Sequence, residues 1–127
     1  MNHKKELGNT GENIAIKFLI KKGWKILARN YRRKSDEIDA IAIAPDKTLV
    51  FCEVKTLRVS ATAHDDGLSP EDSLSMEKFR KISRACEFFA RENPRLVDDE
   101  RGWRIDLVAI DLGLNDEPSA IRHYENI

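Results

Sequence analysis

The stretch that decides the fold is Ser35-Asp36-Glu37-Ile38-Asp39-Ala40-Ile41-Ala42-Ile43-Ala44, then Pro45-Asp46-Lys47, then Thr48-Leu49-Val50-Phe51-Cys52-Glu53-Val54-Lys55-Thr56. Two runs of β-forming residues around a Pro-Asp-Lys turn predict a hairpin, with strands over residues 37–44 and 48–56. Period-two alternation puts Asp39 on one face with Ile41 and Ile43, opposite Ile38, Ala40 and Ala42. On the second strand Glu53 and Lys55 share a face with Leu49 and Phe51, opposite Val50, Cys52 and Val54. Both strands are mostly apolar on two faces, the pattern of strands covered from both sides. A charge inside such a strand is costly to bury unless it is paired or binds a metal. Asp39, Glu53 and Lys55 are therefore the informative residues.

The flanking chain supplies the covering layers. Residues 5–22 predict an amphipathic helix, with Leu7, Gly11, Ile14, Ala15, Phe18 and Leu19 as its apolar stripe. Lys21-Lys22-Gly23 gives that helix its stop. Glu12 lies at the edge of the stripe, placed either to reach along the helix–sheet seam into a site or to remain a surface acid in an early turn. Residues 24–30 read as the first strand and 31–36 as a charged connection. In that connection Arg32, Arg33 and Lys34 either grip a phosphate backbone or form a solvated loop. Residues 57–69 have no period and read as a loop carrying His64. A helix is expected from Ser69-Pro70 to about Glu92, with Lys78 beside its core face, either reaching a phosphate or simply exposed. A buried strand over 103–110 carries Asp106, either an outer partner of the site or a buried ion-pair partner of Arg104. A short edge strand is expected near 120–127. The order is helix, three strands, helix, strand, strand: one α/β domain spanning residues 1–127.

At 41% apolar and 35% charged, the 127 residues suit a charge-rich globular chain with a core of its own. No apolar run approaches the roughly 18 residues a spanning helix needs, and the opening residues carry no signal-peptide core. The expected address is cytoplasmic, without a membrane partner. Cys52 and Cys86 sit inside apolar patterns as small hydrophobes. The net charge is zero but polarised. Residues 1–34 hold ten Lys/Arg against two Asp/Glu, and the remainder twelve against twenty, which is +8 and −8. A basic front half suits contact with a polyanion or a solvated helix face.

Phosphodiester hydrolysis needs a positioned divalent cation, an activated water and charge relief on the scissile phosphate. Mg²⁺ prefers hard oxygen ligands and retains several waters. Asp39 and Glu53 from adjacent strands supply two carboxylates, and the backbone carbonyl of Val54 a third oxygen. Lys55 follows Glu53 by about 6.6–7 Å on the same face. From there it orients or deprotonates a water, or stabilises developing charge. The alternative is a set of surface salt bridges on a hairpin with one polar face. The apolar neighbours Ile41, Ile43, Leu49 and Phe51 favour the site.

These residues carry a resemblance. Gly11-Glu12 with Ala15, Gly23, Asn30-Tyr31-Arg32, Glu37-Ile38-Asp39, Phe51-Cys52-Glu53-Val54-Lys55-Thr56, Lys78 and Arg104-Ile105-Asp106-Leu107-Val108-Ala109 together resemble the YraN family of uncharacterised bacterial proteins. That family is similar to the restriction-endonuclease-like PD-(D/E)xK nucleases, in particular the archaeal Holliday-junction resolvases. The resemblance implies an α/β restriction-endonuclease-like core, a mixed central sheet flanked by helices. It implies Asp39 and Glu53 as Mg²⁺ (or Mn²⁺) ligands, Lys55 at the attacking water and Glu12 as a helix-borne accessory acid. The family usually has Gly where this chain has Asp36, and a basic residue where it has Leu57. The expected function is a metal-dependent DNA endonuclease, acting on branched or damaged DNA, working as a homodimer and meeting DNA-repair or recombination partners. The runner-up is a non-catalytic nucleic-acid- or protein-binding module that keeps the fold.

Overall fold

The computed structural model describes residues 3–58 and 74–127. Seven elements follow in chain order: α1 (His3–Lys21), β1 (Lys25–Arg33), β2 (Asp36–Ile43), β3 (Leu49–Arg58), α2 (Met76–Glu92), β4 (Trp103–Leu112) and β5 (Pro118–Tyr124). The strands form one sheet in the order β1-β2-β3-β4-β5. β3 and β4 run parallel and every other neighbouring pair is antiparallel. A parallel pair cannot be joined by a tight turn, so the chain crosses over between β3 and β4, and α2 lies in that crossover. The architecture is a mixed central sheet flanked by helices, as expected.

The central hairpin forms where the sequence places it. Asp46 Oδ1 accepts the Thr48 N–H at 3.0 Å, and the Lys47 N–H reaches the Ala44 carbonyl at 2.8 Å. One face of the sheet is covered by α1: Ile16 and Leu19 pack with Ala40, Ala42, Val50 and Cys52, and Ala15 with Val108, Ile110 and Leu112. The other face is covered by α2, whose Ile82, Ala85 and Cys86 meet Ile41, Leu49, Phe51 and Ile105. α1 ends on a Schellman turn: Gly23 at φ 89° lets its N–H reach the Ile20 carbonyl and the Trp24 N–H reach Leu19, both at 3.0 Å.

Three expectations are corrected. The segment Tyr31-Arg32-Arg33 is the end of β1, not a connection, and the hairpin turns at Lys34-Ser35, with Arg33 paired to Asp36. Asn30 at φ 52° absorbs the kink that lets the strand continue, and Tyr31 then packs edge-on against Phe89 at 5.3 Å. The second helix begins at Met76, capped by Ser75 Oγ accepting the Lys78 N–H at 3.1 Å, and not at Ser69-Pro70. Residues 59–73, with His64 and the Ser69-Pro70 start signal, lie outside the described residues. Ile38 packs with the α2-side core beside Ile41, whereas Ala40 packs under α1. Alternation in β2 is thus interrupted at Asp39, opposite left-handed Asn30, where the β1–β2 register passes from Arg29↔Ala40 to Tyr31↔Ile38.

Candidate functional site

The β2–β3 ladder runs from Ile43↔Leu49 to Ala40↔Cys52 and ends there, although both strands continue. Asp39 is the first residue beyond that end. In place of a main-chain partner, its Oδ2 accepts the Val54 N–H at 2.8 Å. The N–H and C=O of one residue in an extended strand point to the same side. The Val54 carbonyl therefore also faces the gap that Asp39 occupies. That is the geometry expected of a backbone oxygen left available to a ligand.

The gap admits groups from both faces of the sheet. Glu53, 8% exposed, points to the α2 side, where Lys78 Nζ of α2 meets its Oε1 at 2.9 Å. Glu12 comes from α1 on the opposite side, where the Asp39 charge acts on it. Asp39 and Glu53 also lie within range of each other, the charge of Asp39 acting on Glu53. Three carboxyls carried on three elements are therefore linked through the Asp39 charge near the point where the two central strands part. Gly11 makes this approach possible. A side chain there would overlap Thr56 Oγ1, so only glycine lets α1 settle against β3 directly beside Glu12.

The electrostatics follow from burial and like charge. Burial, followed by the Asp39 charge, pushes Glu53 up to about 7, against the opposing pull of Lys78. Burial also raises Asp39, against the Val54 N–H and Glu53, which lower it. Glu12 rises to about 6 by burial and then by Asp39, with Arg29 opposing. Stacked carboxyls that resist ionisation together are the environment a cation relieves.

The expected site residues divide into two groups. Glu12, Asp39, Glu53 and Val54 are brought together, and Lys78 joins them as a direct partner of Glu53. Lys55 lies two residues beyond Glu53, half-buried opposite Ala109 of β4, with no ion pair among the described residues. Arg32, Arg33 and Lys34 are at the tip of the β1–β2 hairpin. There Arg32 pairs with Glu37 at 3.6 Å and the Arg33 guanidinium lies 3.7 Å over the Phe88 ring. Asp36, at that tip, pairs with Arg84 of α2 at 3.4 Å.

Two neighbours of the site escaped the sequence reading: Arg29, whose charge acts on Glu12 and which holds Asn13 Oδ1 at 2.7 Å, and Glu37, whose charge reaches Asp39. The signal for Arg29 is its register opposite Ala40, next to Asp39, which only strand pairing reveals. Asp106 belongs elsewhere. It is fully buried and held by Arg104 Nε at 2.9 Å, His123 Nε2 at 2.8 Å and the Asn126 N–H at 2.9 Å. Burial alone would raise its carboxyl, but these hydrogen bonds outweigh that and hold it below the ordinary range. Both cysteines are buried and free, and burial pushes their thiols up, so neither is a ready nucleophile.

Fold and site together define an α/β protein with a carboxylate cluster at a break in its central sheet, flanked by Arg29 and Lys78. This chain belongs to the uncharacterised protein family UPF0102, the YraN family, whose model matches residues 11–110. It is similar to the UPF0102 protein of Caldicellulosiruptor saccharolyticus, 36% identical over 98% of both chains. It is also similar to that of Caldicellulosiruptor bescii, 41% identical over 84% of this chain and 82% of the relative. The relative from Roseiflexus castenholzii is 36% identical over 92% and 88%. Among solved structures it is similar to SfsA of Pyrococcus furiosus in complex with Ca²⁺, at 17% identity and TM-score 0.39, covering 96% of this chain and 63% of that one. Among the described residues, no helix is long and apolar enough to cross a membrane.

Proposed function

We propose that this protein is a metal-dependent DNA endonuclease, with Asp39, Glu53 and the Val54 carbonyl holding Mg²⁺ or Mn²⁺. The observation that carries the reading is Asp39 held on the Val54 N–H where the β2–β3 ladder ends, with buried Glu53 within range of its charge. Among the described residues, no group of three or more His, Cys, Asp or Glu side chains forms a ready-made ligand cage. Two carboxylates, one carbonyl and several waters are what a small hard cation needs, so the donor set fits Mg²⁺ better than a metal that demands an all-protein shell. A divalent cation bound there supplies charge relief on the scissile phosphate and acidifies an adjacent water.

The chain's own groups divide the remaining work. The Val54 N–H fixes the orientation of Asp39 in advance. Lys78 holds Glu53 from the α2 side. Lys55, on the face of Glu53, takes or steadies the proton of the attacking water. Glu12 adds negative charge from the α1 side, and Arg29 balances it. Arg32, Arg33 and Lys34 at the hairpin tip contact the DNA backbone and supply salt-dependent affinity. The substrate class is branched or structured DNA. A homodimer provides the two cuts such a substrate requires, and repair or recombination proteins are the partners.

The test is cleavage of labelled duplex, single-stranded and four-way-junction DNA with Mg²⁺ or Mn²⁺, comparing the native protein with Asp39→Ala and Lys55→Ala. Metal-dependent cutting lost in both variants is expected. A folded protein that binds DNA but cuts no substrate would replace this reading with the binding module. Cutting that survives both substitutions would mean the chemistry lies elsewhere.

A further inference from the structure

Lys78 stands out because its ammonium touches the carboxylate that the proposed function assigns to the cation. Its Nζ lies 2.9 Å from Glu53 Oε1, and the charges of Asp39 and Glu37 act on it as well. Its helix position is fixed from below: the Lys78 N–H is bound by the Ser75 cap, while the next residue, Phe79, packs into the α2-side core. The side chain is half exposed and swings on a flexible stem, so it can leave Glu53 without disturbing the core. Glu53, 8% exposed, has no such freedom.

We infer that Lys78 is the built-in counter-cation of this site, competing with a divalent ion for Glu53, so that metal loading displaces its ammonium. This rests on the endonuclease reading. A unit positive charge and a divalent cation cannot share one carboxylate without repulsion. At about 5 Å that repulsion lowers divalent affinity by at least on the order of tenfold, even with the full screening of water. Lys78 thus makes metal occupancy conditional: the acids are neutralised in either state, by the lysine or by the metal. A purely structural Lys78 would instead hold Glu53 in its binding geometry, and its removal would weaken metal binding.

The two roles give opposite signs in one measurement. Mn²⁺ binding is followed by calorimetry and by electron paramagnetic resonance at about pH 8.5, well above the ordinary carboxylate range. The full-length protein is compared with Lys78→Gln, Lys78→Arg and Lys81→Gln. Lys81, one turn along α2, pairs with Glu77 and removes the same charge without touching the site. The expected result is binding on the order of tenfold tighter in Lys78→Gln, with Lys78→Arg and Lys81→Gln near the native value. Unchanged or weaker binding in Lys78→Gln overturns the inference and leaves the metal site standing. Absence of Mn²⁺ binding in every protein overturns the metal reading itself, and this inference with it.

Discussion

Gly11→Ala is the sharpest probe of how α1 sets the site. On an exposed helix the change would stabilise by about 1 kcal/mol, because alanine outranks glycine in helix propensity. Here the added carbon would overlap Thr56 Oγ1 and sit 2.8 Å from Thr56 Cβ and 2.9 Å from its Cγ2. Rotating the Thr56 hydroxyl relieves the first contact but not the second, so helix and strand must separate by several tenths of an ångström. Overpacking of this kind costs about 1–3 kcal/mol, and the upper part of that range applies because β3 is central and cannot retreat. Net of the propensity gain, the loss is about 2 kcal/mol, which lowers Tm by roughly 6–10 °C in a chain this long. Paired Gly11→Ala and Thr56→Gly substitutions are expected to recover part of the loss, because the second change removes every atom that collides. Urea and thermal denaturation of the three proteins measure this. A Gly11→Ala protein as stable as the native one would refute the close approach of α1 to β3, and with it the placement of Glu12 beside Asp39.

Two further outcomes follow from the buried acids. Because Glu53 rises from 4.5 to about 7 in the folded state, it favours the fold at low pH and loses that contribution as pH rises through 7. Glu53→Gln is therefore expected to stabilise the cation-free protein on the order of 2–3 kcal/mol at about pH 8, with the gain vanishing near pH 4.5, as denaturation at the two pH values would show. A gain that persists at low pH would point to packing instead. Asp106 has the opposite sign: held low by His123, Arg104 and the Asn126 N–H, it supports the fold above about pH 4 and loses that support as pH falls. Asp106→Asn strands the buried ends of Arg104 and His123 and is expected to cost about 3–5 kcal/mol in chemical denaturation; a loss under 1 kcal/mol would mean the network is solvated.

What the sequence alone determined is what local pattern controls. The β2–β3 hairpin, the first helix, the body and end of the second, the glycine stop after Lys22 and the buried fourth strand all follow from periodicity and turn chemistry within a few residues. The same pattern singled out Asp39, Glu53 and Glu12, because a charge amid apolar neighbours is conspicuous without any knowledge of the fold. Tertiary structure decided what those charges touch. That the β2–β3 ladder stops at Ala40↔Cys52, that left-handed Asn30 turns Ile38 to the other face, and that Lys78 grips Glu53 depend on register and on packing between elements distant in sequence. Asp106 shows the limit most plainly. In sequence it is one more acid in an apolar strand, like Asp39, and only the fold separates them. Asp106 is matched by Arg104, His123 and a backbone N–H, whereas Asp39 faces two other carboxyls. Pattern reveals that a charge is buried; the neighbours that neutralise it come from other strands and helices, and those are assigned only when the chain closes on itself.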